Sequence, residues 1–235
     1  AEDIITDDEN TIIRQDWGEP NWLLQITREG ILSFGVENTS GTNFKVDFEV
    51  SASSIENSWR HVTGTYDGSN LKLYLDGSLI ATQAFSGNVA FGGNNQSTYL
   101  NIGSHPAPND AETFDGSIDE VSIWNIALAQ SQIETYMATS LSGSETGLVG
   151  YWNFNEGTGA IAYDATSNDN DGTINGATWS TDIPTLLTYI PDDNFEQALI
   201  DLGYDDTLDD YVLTENISSL NGLEVNMLGI SDLTG

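Results

Sequence analysis

The sequence predicts a mainly β fold, an antiparallel β-sandwich of the jelly-roll kind, with a small α/β unit after it. Three observations carry this. Short apolar runs recur as far as Trp179, too brief for helices. Gly, Asn and Asp turns punctuate them. Phe44 to Val50 alternates strictly, with Phe44, Val46, Phe48 and Val50 on one side and Lys45, Asp47 and Glu49 on the other, the mark of a half-buried antiparallel strand.

After a polar lead-in at Asp3 to Glu9, strand character appears at Ile12-Ile13, Trp22 to Ile26 and Ile31 to Val36, with a turn at Glu29-Gly30. Trp59 to Tyr66 and Leu71 to Leu75 flank Asp67-Gly68-Ser69-Asn70, and Asp76-Gly77 turns the chain into Leu79 to Thr82. Ser86 to Ser97 and Gly103 to Thr113 read as loops around a short strand at Tyr99 to Ile102; Pro106 and Pro108 keep the second loop out of a sheet. Leu128, Ile133 and Tyr136-Met137 have helical spacing. Leu148 to Phe154, Thr173-Ile174 and Ala177 to Trp179 complete the β region. The character changes at Pro184. Pro191 and Asp192-Asp193 suit a helix start, Phe195, Ala198, Leu199 and Leu202 give the helix an apolar face, and Gly203 ends it. Residues 1–183 and 184–235 are thus expected as two units.

Charge narrows the function classes. The chain has 37 acidic against 5 basic residues, a net charge of −32. Nucleic acid and membrane surfaces, both anionic, are poor partners for that field. The excess serves solubility, or the binding of hard cations through Asp and Asn loops, or both. With no cysteine, disulfides, thiolate catalysis and zinc–thiolate sites are excluded. No apolar run is long enough to span a bilayer, and no export signal is visible ahead of AEDIITDDEN.

The chemical question centres on FDGSIDEVSIW, Phe114 to Trp124. Read as one strand, it sets Asp119 on the face of Val121 and Ile123, and Glu120 on the other. An inward carboxylate needs N–H donors, a cationic side chain or a metal ion, and the sequence leaves the three open. Catalysis finds little support: acids on opposite faces do not converge on one bond, and there is no G-x-S-x-G, P-loop or H-E-x-x-H motif. His61, inside a strand, is expected to be packed; with two distant histidines, no transition-metal site is expected.

Several segments together resemble the laminin-G-like (concanavalin-A-like, pentraxin-related) jelly roll of bacterial secreted proteins. They are WRHVTGTYDGSNLKLYLDG at 59–77, LNIG at 100–103, FDGSIDEVSIWNIAL at 114–128 and GLVGYWNFNEGTG onward from Gly147. The resemblance implies a secreted or cell-surface, non-catalytic module that binds glycan or matrix protein. It also implies a structural calcium under a polar loop, with Asp164, Asn168, Asp169 and Asp119 as candidate ligands. Ser167 to Gly172 is not an EF-hand, since Ser167 and Thr178 stand where acidic ligands are required, and a turn closed by Asx hydrogen bonds is the alternative to calcium there. Loop residues Trp17, His105, Asn109 and Asp110 are the candidate sugar contacts; the other tryptophans are expected in the core. Relatives open with strands ahead of Thr11 that this sequence lacks. Either the late YWNF segment fills the vacancy as a permuted strand or it starts another unit; an unfilled vacancy leaves a bare sheet edge that promotes self-association.

YIPDDNFEQALIDLGYDD and the run from Ile217 resemble the cap and first repeat of internalin-type leucine-rich repeat proteins. Leu220, Leu223, Val225 and Ile230 carry the pattern, and Leu228 breaks it where Asn is wanted. A single repeat cannot bury its face, so a longer solenoid is expected past Gly235. That implies an alternative role as a spacer presenting a protein-binding repeat. A glycoside-hydrolase-related domain is the distant third.

Overall fold

Period-two patterning builds the largest sheet. In the computed structural model, β1 (Glu9–Gln15), β2 (Trp22–Thr27), β3 (Ile31–Glu37) and β4 (Asn43–Glu49) form consecutive antiparallel hairpins. The structure describes residues 9–15, 22–27, 29–51, 55, 58–90, 99–104, 113–184, 187–190, 192–208, 211–217 and 229–231. β5 (Val62–Tyr66), β6 (Asn70–Leu75) and β7 (Ser78–Ala84) make a second, three-stranded antiparallel sheet. β8 (Leu100–Ile102) joins the first sheet beside β1, giving the order β4-β3-β2-β1-β8. The predicted antiparallel sandwich is the observed architecture.

Turn chemistry fixes the second sheet. Asp67 accepts hydrogen bonds from the N–H groups of Ser69 (2.9 Å) and Asn70 (2.8 Å), closing the β5–β6 turn. The Lys72 ammonium bonded to it, with these two N–H donors, holds its carboxyl down to about 2. Asp76 (φ 46°) and Gly77 (φ 74°) are both left-handed, the primed geometry whose twist matches a two-residue hairpin. The two sheets meet over Ile13, Leu24, Phe34 and Val46 on one side and Leu71 and Leu73 on the other. Contact is close at Gly64, where a Cβ would stand 2.3 Å from the Phe34 ring.

The second sheet is covered on its far side as well. α1 (Gln130–Ala138) buries Ile133 against Leu128 and Tyr74, and Tyr136 stacks on Trp124 with ring centroids 5.0 Å apart. The central strand is shorter than expected: β9 is only Val121–Trp124, and Asp119 and Glu120 precede it. Glu120 is left-handed (φ 52°), so strict alternation does not reach back to the acids. β10 (Leu148–Trp152) pairs antiparallel with β9, so the late strand takes the place beside VSIW. Val121 and Ile123 pack on the main core. A small ribbon follows, β11 (Ile161–Ala162) with β12 (Gly172–Thr173), while Ala177 to Trp179, expected as a strand, is irregular.

Beyond Pro184, Ile190, Leu199 and Val212 form a small core cluster of their own. β13 (Leu187–Tyr189) pairs with β14 (Tyr211–Leu213), next to α2 (Asp193–Asp201) and α3 (Thr214–Ile217). Asp192 caps α2: one oxygen accepts from the N–H groups of Asn194 and Phe195, and the other from Ser231 N–H and Oγ–H, both at 2.7 Å. The helix and its start are as predicted. Leu220, Leu223, Val225 and Leu228 lie outside the described residues.

Candidate functional site

The second face of an antiparallel sheet is ordinarily wet. On the five-stranded sheet it is wet only toward β4. A β-bulge between Thr11 and Ile13 turns Ile12 and Ile13 toward the core and leaves Thr11 and Arg14 on the outer face. Two rows then cross it: Asn101, Arg14, Leu23, Gly35 and Lys45, and beside them Thr11, Gln25, Ser33 and Asp47. Thr11, Arg14, Gln25 and Ser33 are each no more than 2% exposed. Toward β4 the rows open to solvent, where the Ser33 hydroxyl donates to Asp47 (2.7 Å) and Lys45 pairs with the other Asp47 oxygen (3.4 Å). The face therefore grades from a screened guanidinium end to an exposed rim of hydroxyl, ammonium and carboxylate. Such a set can donate to and accept from the paired hydroxyls of a sugar. Sequence reasoning missed it, because polar residues at alternate strand positions read as solvated; the only signal was an arginine between Ile13 and Gln15.

The acids ahead of β9 are half-buried. Asp119 accepts the N–H of Glu120 at 2.9 Å, and burial pushes its carboxyl above the ordinary value against that single donor. Glu120 accepts a hydrogen bond from the Tyr151 hydroxyl and lies within reach of Ser140. Burial raises its carboxyl, the Tyr151 bond opposes, and the neighbouring Asp119 charge adds to the rise. Burial and Glu120 together push the Tyr151 hydroxyl far up. The pair straps β9 to β10.

Asp164 sits under the loop named as a calcium candidate. One oxygen accepts the N–H groups of Tyr151 (3.0 Å) and Thr166 (2.9 Å); the other takes the Asn170 N–H (3.0 Å) and side-chain amide (2.9 Å). Burial raises its carboxyl, but these donors together hold it below the ordinary value. The Asn168 amide donates to the Val149 carbonyl at 2.9 Å, and Asp169 is exposed and left-handed (φ 55°). A calcium ion needs open oxygens, and those of Asp164 already face N–H groups; this donor set does not fit the ion. Among the described residues no three His, Asp or Glu side chains converge on one point. Of the other expected residues, His61 is packed, and burial lowers its pKa while the Asp76 charge opposes. Trp17, His105, Asn109 and Asp110 lie outside the described residues.

A two-sheet antiparallel sandwich is the architecture of the lectin-like jelly rolls. Residues 3–134 match the concanavalin A-like lectin/glucanases superfamily, in its laminin G form, and the chain belongs to that family. Over 81 residues it is 33% identical to mouse (Mus musculus) pappalysin-1, a stretch that covers 34% of this chain and 5% of that protein. Among solved structures, a candidate carbohydrate binding protein from Bacteroides ovatus superposes with a TM-score of 0.55 at 23% identity, over 77% of this chain and 53% of that one. A SAP-like pentraxin from Limulus polyphemus gives a TM-score of 0.39 at 15% identity, over 75% of this chain and 72% of that one. The chain thus spans about half of the Bacteroides protein and a small part of pappalysin-1. No described helix is long and apolar enough to cross a membrane.

Proposed function

We propose that this chain is a non-catalytic, extracellular carbohydrate-binding module that takes glycan or glycosylated matrix at the β4 rim of the five-stranded sheet. The observation that carries the reading is the polar outer face, dry at Arg14 and Gln25 and open at Lys45 and Asp47, in a chain of the lectin/glucanase family. Neutral sugars suit it best, since the −32 charge repels anionic ones. The carbohydrate-binding description of the Bacteroides protein points the same way. A glycan array with the wild type and Asp47→Ala tests it. Binding is expected for the wild type, with at least a tenfold loss in the variant and no change in Tm. Equal binding by both would move the site elsewhere, and polysaccharide turnover would favour the hydrolase reading.

The structural calcium is a separate proposal, and the geometry at Asp164 supports its ion-free alternative. A melt in calcium and then in EDTA decides between them: a specific site raises Tm through mass action, whereas the N–H cradle leaves it unchanged. A second role, presenting a leucine-rich repeat through residues 184–235, draws support from the separate Ile190–Leu199–Val212 core. Protein-partner capture by residues 184–235, persisting in Asp47→Ala, is the outcome that reading expects.

A further inference from the structure

β7 forms a rim of the three-stranded sheet, with β6 on one side and, among the described residues, no strand on the other. Its seven residues, Ser78-Leu79-Ile80-Ala81-Thr82-Gln83-Ala84, carry no charge in a chain with 37 acids. The rim strand of the other sheet, β4, is guarded by Lys45, Asp47 and Glu49, the charged residues that discourage edge-to-edge pairing. Thr82, Gln83 and Ala84 are exposed, and Leu79 is 45% exposed. Among the described residues no backbone hydrogen bond from another segment reaches the outer side of β7. A bulge between Leu73 and Tyr74 in the pairing leaves Ile80 as the extra residue, so the straight part of the rim is Ala81 to Ala84.

We propose that Ala81–Ala84 pairs with the same segment of a second copy, antiparallel across a two-fold axis, joining two three-stranded sheets into one. A second copy suits this rim for two reasons. Two chains of charge −32 repel almost everywhere, and this uncharged strand is where they can approach at low local cost. The Phe85 N–H bonds the Ser69 carbonyl on the β6 side, so Thr82 and Ala84 turn their backbone groups outward. In the two-fold register Thr82 then faces Ala84 and Gln83 faces its own copy, small or neutral side chains that do not clash. The Gln83 amide now donates to the Ala84 carbonyl of its own chain at 3.2 Å, so that side chain swings away when the strands pair.

The sign of the salt effect is diagnostic. Dimerisation opposed by overall repulsion strengthens as salt screens the charge, the reverse of an interface built on opposite charges. Sedimentation velocity across a concentration and sodium chloride series should show a monomer–dimer equilibrium shifting at least fivefold toward dimer in high salt. Thr82→Glu, on an exposed position, should return the protein to monomer at unchanged Tm. Hydrogen exchange should slow at the outward Thr82 and Ala84 amides in the dimer alone. A monomer at every concentration and salt, or a dimer indifferent to Thr82→Glu with no protection of those amides, would overturn the proposal.

Discussion

At the scale of single residues, Asp164 and Glu120 show two opposite solutions for an acid drawn out of water. Asp164 is ringed by four N–H groups from three residues, so its charge is neutralised by dipoles. Replacing it with Ala strands the N–H groups of Tyr151, Thr166 and Asn170 and should cost about 3–5 kcal/mol, read by urea denaturation. Asp164→Asn should recover part of that loss, because one acceptor oxygen remains. Glu120 has instead one strong donor, Tyr151, and an acidic neighbour. Its sequence neighbourhood was legible as an unusual pair of acids on an apolar strand, but its partner was not, since Tyr151 is 31 positions away. The loop acids near Asn168 were legible as a cluster, while the filling of Asp164 by amide hydrogens depends on loop conformation that composition does not encode.

Elements were more legible than contacts. The alternation of Phe44 to Val50 and the Asp76-Gly77 turn gave strands and a hairpin where they are found, because both signals are local. The outer-face rows were illegible for the converse reason: burial of Arg14 and Gln25 is decided by what lies over the sheet, which is non-local. The failure at Asp119 is different again. A left-handed Glu120 ends the strand pattern, and nothing in IDEV announces it. Gly143 illustrates how a loop is locked to its neighbour. At φ 84°, it brings its Cα so close to Ala165 that a Cβ would meet the carbonyl oxygen at 2.2 Å. Gly143→Ala should therefore cost about 2–4 kcal/mol from combined backbone strain and displacement of the Ala165–Thr166 turn. Gly157→Ala offers the control: it is also left-handed (φ 65°), but nothing lies within 4 Å of its Cβ position, so strain alone remains. A chemical denaturation midpoint for each variant measures the difference.

For the whole molecule, the two kinds of buried acid and the overall charge act on stability over different stretches of pH. Asp119 and Glu120 have folded-state values raised above their unfolded ones. Their contribution is complete below the unfolded value and is lost as pH rises through the folded one, so neutral pH is where they cost the fold most. The net charge of −32 acts in the same direction, because acidification toward the pI of about 4.1 removes self-repulsion. Asp164 runs the other way. Its value is lowered on folding, so its contribution is present above the unfolded value and disappears as pH falls through the folded one. Thermal stability should thus rise as pH falls from neutral, pass through a maximum in mildly acidic solution, and drop once Asp164 takes up a proton. Glu120→Gln keeps an acceptor for the Tyr151 hydroxyl but removes the titration, and should raise Tm at neutral pH while flattening the rising limb. The acidic limb should be unchanged in that variant. High salt should flatten the rise that comes from self-repulsion and leave the part due to the half-buried pair, because screening reaches surface charges more effectively than buried ones. A Tm series in pH at low and high salt, for the wild type and Glu120→Gln, separates the two contributions; a wild-type curve that falls monotonically on acidification would show that neither governs the fold.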